Sequence, residues 1–110
     1  MYLPDRQYAI IPPAKLSNYL LSLSHPAGRS KARFLLAVGY RLERPEILEQ
    51  DLLSIAHEVE VTEVERSEHG MKYVIEGEVE ASRGHHIRLR TIWITEGSHA
   101  PRFVTAYPRT

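Results

Sequence analysis

The stretch Lys72-Tyr73-Val74-Ile75-Glu76-Gly77-Glu78-Val79-Glu80 decides the fold class. Tyr73, Ile75, Gly77 and Val79 alternate with Lys72, Glu76, Glu78 and Glu80, the period-two signature of a half-buried antiparallel strand. Working outward, Ser67-Glu68-His69-Gly70 before it and Ser82-Arg83-Gly84-His85 after it read as turns. Val59, Val61 and Val64 mark an earlier strand with a phase slip that suggests a bulge. Ile87 to Thr95 is a third strand, 96–101 a loop, and Arg102 to Tyr107 a fourth. Adjacent hairpins are the simplest topology for such spacing.

Upstream the period changes. Pro12-Pro13 opens a short helix over 14–22, with Leu16, Leu20 and Leu23 on one face. Pro26 and Gly28 enforce an irregular loop over 25–29. Ser30 is the expected N-cap of a second helix, Lys31 to Val38, which turns Ala32, Leu35, Leu36 and Gly39 inward. Pro45 fits the first turn of a third helix reaching His57, with Leu48, Leu52, Ile55 and Val59 as its stripe. The expected fold is one α+β domain, residues 1–110: three N-terminal helices packed on one face of a four-stranded antiparallel meander.

A two-residue turn at Arg83-Gly84 pairs Ile75 with Ile92 and Tyr73 with Ile94. These residues, Val104 and Ala106 then lie under the helices. Glu76, Thr91, Trp93, Phe103, Thr105 and Tyr107 fall on the opposite face. That surface reads either as an aromatic and hydroxyl-rich binding face or as an ordinary solvated sheet face. The expected core is Leu20, Leu35, Leu52, Ile55, Ile75, Ile92 and Val104.

Composition narrows the function. The 110 residues carry 14 basic and 14 acidic side chains, for zero formal charge, which argues against a broad non-specific duplex binder. There is no cysteine, so disulfides, thiolate metal sites and cysteine nucleophiles are excluded. GxxxxGK(S/T), GxGxxG and GxSxG are all absent, which argues against kinases, dehydrogenases and α/β-hydrolases. The start, Met1 to Arg6, lacks a basic region followed by an apolar run, so no signal peptide and a cytoplasmic location are expected, unless a larger machine exports the protein. No apolar stretch approaches a membrane span, so no membrane association is expected.

The densest chemical constellation is His25-Pro26-Ala27-Gly28-Arg29-Ser30-Lys31. Histidine transfers protons near neutral pH, Arg29 can grip a phosphate with two parallel hydrogen bonds, and Lys31 adds a point charge. The first N–H groups of the following helix also favour an anion. A solvated connecting loop would carry the same residues. His69 at its turn could complement His25 as an acid–base partner. His85-His86 and His57 invite a metal reading, but neighbouring strand residues point to opposite faces and spacing supplies no third ligand; no metal and no cofactor are expected. Arg88 and Arg90 share a strand face, as a basic stripe or as partners of the neighbouring glutamates. Thr105 and Tyr107 put two hydroxyls on one face.

The order His25-Pro26-x-Gly28-Arg29-x-Lys31-Ala32-x-Phe34, His69-Gly70-x-x-Tyr73, Arg90-Thr91-x-Trp93-Ile94, Pro101-Arg102-x-Val104-Thr105-x-Tyr107 resembles an uncharacterised family of small bacterial domains. Its members occur free-standing or at the C-terminus of larger proteins that resemble polymorphic toxins, often encoded beside a small SH3-like barrel protein that looks like an antitoxin or immunity partner. The layout is also similar to the barnase, colicin and RelE group of metal-independent ribonuclease toxins. The resemblance implies a small endoribonuclease toxin of a toxin–antitoxin or toxin–immunity pair. Its catalytic candidates are His25, Lys31, His69, Thr105 and Tyr107, and its phosphate- or RNA-binding candidates are Arg29, Arg90, Thr91 and Trp93, with Trp93 or Phe103 stacking on a base. The alternative is a non-catalytic interaction module that binds a small partner protein through its open sheet face.

Overall fold

The computed structural model describes residues 1–81 and 84–109. A 3-10 turn (Arg6–Tyr8) precedes α1 (Pro13–Lys15), which continues directly into a π-helical turn (Leu16–Leu20); α2 (Arg29–Ala37) and α3 (Pro45–Glu58) follow. The four strands are β1 (Glu63–Ser67), β2 (Gly70–Glu80), β3 (His86–Thr95) and β4 (Arg102–Pro108). They form one antiparallel sheet in the order β1-β2-β3-β4. The domain is therefore α+β, with three helices and a four-stranded meander.

The π turn changes the face of the first helix. The Leu21 N–H donates to the Leu16 carbonyl over five residues, at 2.9 Å. This wider turn buries Leu16, Leu20 and Leu21 and leaves Leu23, expected on the same stripe, 53% exposed. The second helix starts at Arg29, with Gly28 rather than Ser30 at the N-cap. The third follows its expected stripe, with Leu48, Leu52 and Ile55 buried, and Ile55 packs against Gly77 of β2.

Register departs from the two-residue-turn expectation by one position. Ala81 donates its N–H to the His85 carbonyl at 2.7 Å, so the connection holds three residues. Its first two, Ser82 and Arg83, lie outside the described residues; Gly84 has φ +73°, the left-handed geometry that closes three-residue hairpins. With side chains alternating at a period of two, an odd loop exchanges the faces of β3. Tyr73 stands opposite Trp93, Ile75 opposite Thr91, and Gly77 opposite Leu89. These residues share the buried face with Phe103 and Ala106. Ile92 and Val104, expected in the core, are only partly buried.

The second face carries Glu63, Lys72, Glu76, Arg90, Arg102 and Tyr107 by register, together with the buried Val74 and Ile94. A bulge in β4 leaves Val104 unpaired between Phe103 and Thr105. Along the outer edge of β4, Ile10 forms a parallel bridge: its N–H donates to the Pro101 carbonyl at 3.0 Å, and its carbonyl accepts from the Phe103 N–H at 2.9 Å.

Candidate functional site

Tyr19, in the π turn, organises one end of the molecule. Isolated π turns in helices recur at functional sites because they push a side chain out of the regular helical rows. The Tyr19 hydroxyl lies 2.8 Å from the Thr105 hydroxyl of β4. The His25 ring meets the Tyr19 ring edge-on, with centroids 5.0 Å apart and an interplanar angle of 81°. Lys15 and Lys31 bring their ammonium groups to 5.1 and 5.6 Å from the ring centre. Cations at this distance are attracted by the negative face of the π system.

The 25–28 loop is moulded onto this tyrosine. Gly28 is buried, and a Cβ added there would stand 2.3 Å from the Tyr19 carbonyl oxygen and 3.0 Å from its ring Cδ1. Only glycine permits that approach. His25 Nδ1 accepts two backbone hydrogen bonds, from the N–H groups of Ala27 and Gly28, both at 3.0 Å. Its imidazole thus fixes the turn that leads into α2, whose N-cap, Gly28, has no side-chain hydrogen bond. Two amides aimed at Nδ1 assign the ring proton to Nε2, so His25 presents a donor outward.

Charge at this helix start runs against its dipole. Arg29 and Lys31 occupy the first turn of α2, which holds no acidic residue. Cations at this end oppose the helix dipole, typically by about 0.3–1 kcal/mol each. Lys31 is partly compensated by donating to the Ala27 carbonyl at 3.3 Å. The result is an electropositive corner composed of Lys15, Lys31, Arg29 and the helix N-terminus.

The structure brings together His25, Lys31 and Thr105. It adds Tyr19 and Lys15, which motif spacing did not single out; a tyrosine within an apolar helical stripe looks like core. Tyr107 lies two residues from Thr105, opposite Arg90 in the β3–β4 ladder. His69 stands apart, exposed at the β1–β2 turn, with Nε2 3.4 Å from Glu68. Arg29 is exposed as the first residue of α2.

Three binding candidates do not fit their expected roles. Thr91 and Trp93 are 0% exposed. The Thr91 hydroxyl donates to the Ile75 carbonyl at 2.7 Å and accepts from Trp93 Nε1 at 2.9 Å. Trp93 packs edge-on against Phe103, which is also buried, so neither ring is available to stack on a base. The one-residue register shift placed all three inside. Arg90 is engaged by Glu63 at 2.9 Å and Glu76 at 3.3 Å, while Arg109 also binds Glu76 at 2.8 Å. Its charge is balanced within the sheet.

Among the described residues no group of three His, Asp or Glu side chains is arranged to hold a metal ion, and no helix is long and apolar enough to cross a membrane. The fold and the basic, hydroxyl-bearing corner define a small α+β domain with one cluster of cations and hydroxyls gathered around Tyr19. A chain of the contact-dependent growth inhibition toxin–immunity protein complex from Klebsiella pneumoniae 342 has the same fold: TM-score 0.73, 12% identity, covering 98% of this chain and 99% of that one. No functionally curated protein matches the chain. Residues 2–110 match the family described as "Domain of unknown function (DUF6883)", and the chain belongs to that family.

Proposed function

We propose that this domain is the toxin member of a toxin–immunity pair and a metal-independent endoribonuclease whose reacting phosphate sits at the Tyr19–His25–Lys31–Thr105 corner. The observation that carries this reading is convergence. Three chain segments, 15–19, 25–31 and the strand residue Thr105, supply two ammonium groups, an imidazole donor and paired hydroxyls around one ring. The fold likeness to a chain of a toxin–immunity complex supports it.

In such a reaction the RNA 2′-oxygen attacks phosphorus, the P–O5′ bond breaks, and a cyclic phosphate and a free 5′-hydroxyl result. Lys15 and Lys31 counter the charge that builds on the phosphoryl oxygens. His25 Nε2–H donates to one of those oxygens, its ring fixed by the Ala27 and Gly28 amides. Tyr19 and Thr105 share one hydroxyl proton between them, which leaves the other to donate to the phosphate. His69, which lines a neighbouring cleft beside Lys15, takes the 2′-hydroxyl proton as the attack begins and returns it to the departing 5′-oxygen, with Tyr107 positioning the chain. The partner is a small immunity or antitoxin protein, an SH3-like barrel, that covers this corner, and both act in the cytoplasm.

The test is digestion of RNA by the purified protein in chelator. Wild type should cleave. Folded His25→Ala should be slower by about 10²-fold or more, the usual loss for one transition-state donor. A wild-type protein inert towards RNA in chelator, or a fully active His25→Ala protein, overturns the assignment. A second reading, a non-catalytic module for a small partner protein, draws on the related chain's presence in a two-protein complex. A stable complex with the product of the adjacent gene, with RNA left intact, would select it.

A further inference from the structure

Beyond Lys15 the surface dips into a cleft of about 380 Å³ between α1, the β1–β2 turn and the start of β4. Its polar lining is Lys15, Lys72, Arg102, His69 and Glu96, over an apolar floor that includes Ile94 and Val104. The β4 bulge explains its position: Val104 is the unpaired residue and lines the cleft, while the next residue, Thr105, reaches Tyr19. Bulges re-aim side chains in this way. The cleft and the Tyr19 corner are thus consecutive along β4 and share Lys15.

The electrostatics of the cleft are unusual for this neutral protein. Glu96 also lines it and is engaged by Arg102. Glu65 stands opposite Lys72 in the β1–β2 ladder but forms no ion pair with it. Among the described residues, Lys15 and Lys72 have no carboxylate within ion-pair distance, whereas Arg44, Arg90, Arg102 and Arg109 all do. Two uncompensated ammonium groups above an apolar floor suit a phosphodiester with its ribose laid against Ile94 and Val104.

We propose that this cleft is a second phosphate subsite for single-stranded RNA, holding the phosphodiester next to the one at the Tyr19 corner, with Lys15 shared by both. The inference rests on the ribonuclease reading and adds the substrate class. A single strand fits because the two subsites follow one another around a sheet edge.

The experiment measures binding and cleavage of a single-stranded RNA oligomer by wild type and by Lys72→Ala/Arg102→Gln, with a 2′-O-methyl oligomer as the uncleavable binding probe across a salt series. Lys72→Glu alone serves as a second variant, and thermal melts confirm folding. The double variant should bind about 10-fold or more weakly and raise KM while leaving kcat unchanged. Its log K against log salt should be shallower by about 0.7, the slope expected for one lost single-strand phosphate contact. A dinucleotide, which offers no neighbouring phosphate, should be cleaved equally by both proteins. If wild type binds and cleaves RNA while the folded variants keep its affinity and salt slope, the second subsite is wrong and the ribonuclease reading stands. If wild type neither binds nor cleaves, both fall.

Discussion

Gly28→Ala probes the seating of the 25–28 loop on Tyr19. The residue has φ −92° and ψ −15°, a conformation open to any L-amino acid. With free space around it, alanine would stabilise the protein by about 0.4–1 kcal/mol by restricting the unfolded chain. The space is not free. The new methyl would stand 2.3 Å from the Tyr19 carbonyl oxygen, well inside the 3.4 Å at which ordinary contact begins. That oxygen belongs to the backbone of the π turn and cannot rotate away. Overpacking of this kind costs about 1–3 kcal/mol, so the net change should be a loss of about 1 kcal/mol. For a domain of this size that lowers Tm by roughly 4–8 °C. Urea and thermal unfolding followed by circular dichroism give the number. The loop should also lift from Tyr19, so cleavage per folded molecule should fall with stability. A Gly28→Ala protein as stable as wild type would refute the close approach, and with it the fixed orientation of His25.

Thr91→Val removes the hydroxyl that joins Ile75 to Trp93, leaving the indole N–H unpaired in the core; it should destabilise by about 1–3 kcal/mol while activity per folded molecule is unchanged, as checked by denaturation beside the RNA digest. Tyr40 donates to Asp51 at 2.6 Å, and burial, reinforced by that carboxylate, raises its ionisation above the ordinary value near 10. The unfolded chain therefore loses this proton first. Stability should be full below pH 10 and fall above it by up to about 1.4 kcal/mol per pH unit until the folded-state tyrosine also ionises, and Tyr40→Phe should flatten that part of the alkaline unfolding curve.

The meander was legible because Tyr73, Ile75, Gly77 and Val79 alternate cleanly and because Pro45 and the Leu48–Leu52–Ile55 stripe mark α3 without ambiguity. The faces of β3 were not, because they depend on whether the Ser82–His85 turn leaves an even or odd number of residues outside the ladder. That single count moved Trp93, Thr91 and Phe103 from a binding face into the core. At the candidate site, the His25–Lys31 motif lies at the corner that Tyr19 organises, but its own residues do not show what holds it there. Its glycine answers to Tyr19, six residues before the motif, and its histidine is held by the Ala27 and Gly28 amides that precede α2. Such partnerships arise from a helix widened by one residue and a strand bulged by one, and neither leaves a periodic trace.

The hydrogen bond between Tyr19 and Thr105 joins residues 86 apart in the chain, and this has a consequence for when the domain becomes competent during synthesis. A nascent chain can form the helices and pair β1 with β2 as soon as those segments leave the ribosome. The corner that gathers Lys15, Tyr19, His25 and Lys31 then still lacks its fourth wall, and Ile10 has no strand to bridge. Both are supplied only by β4. Competence should therefore arrive abruptly with the last stretch of polypeptide rather than accumulate along it, and a chain stalled before Arg102 should be inert however well its helices have formed.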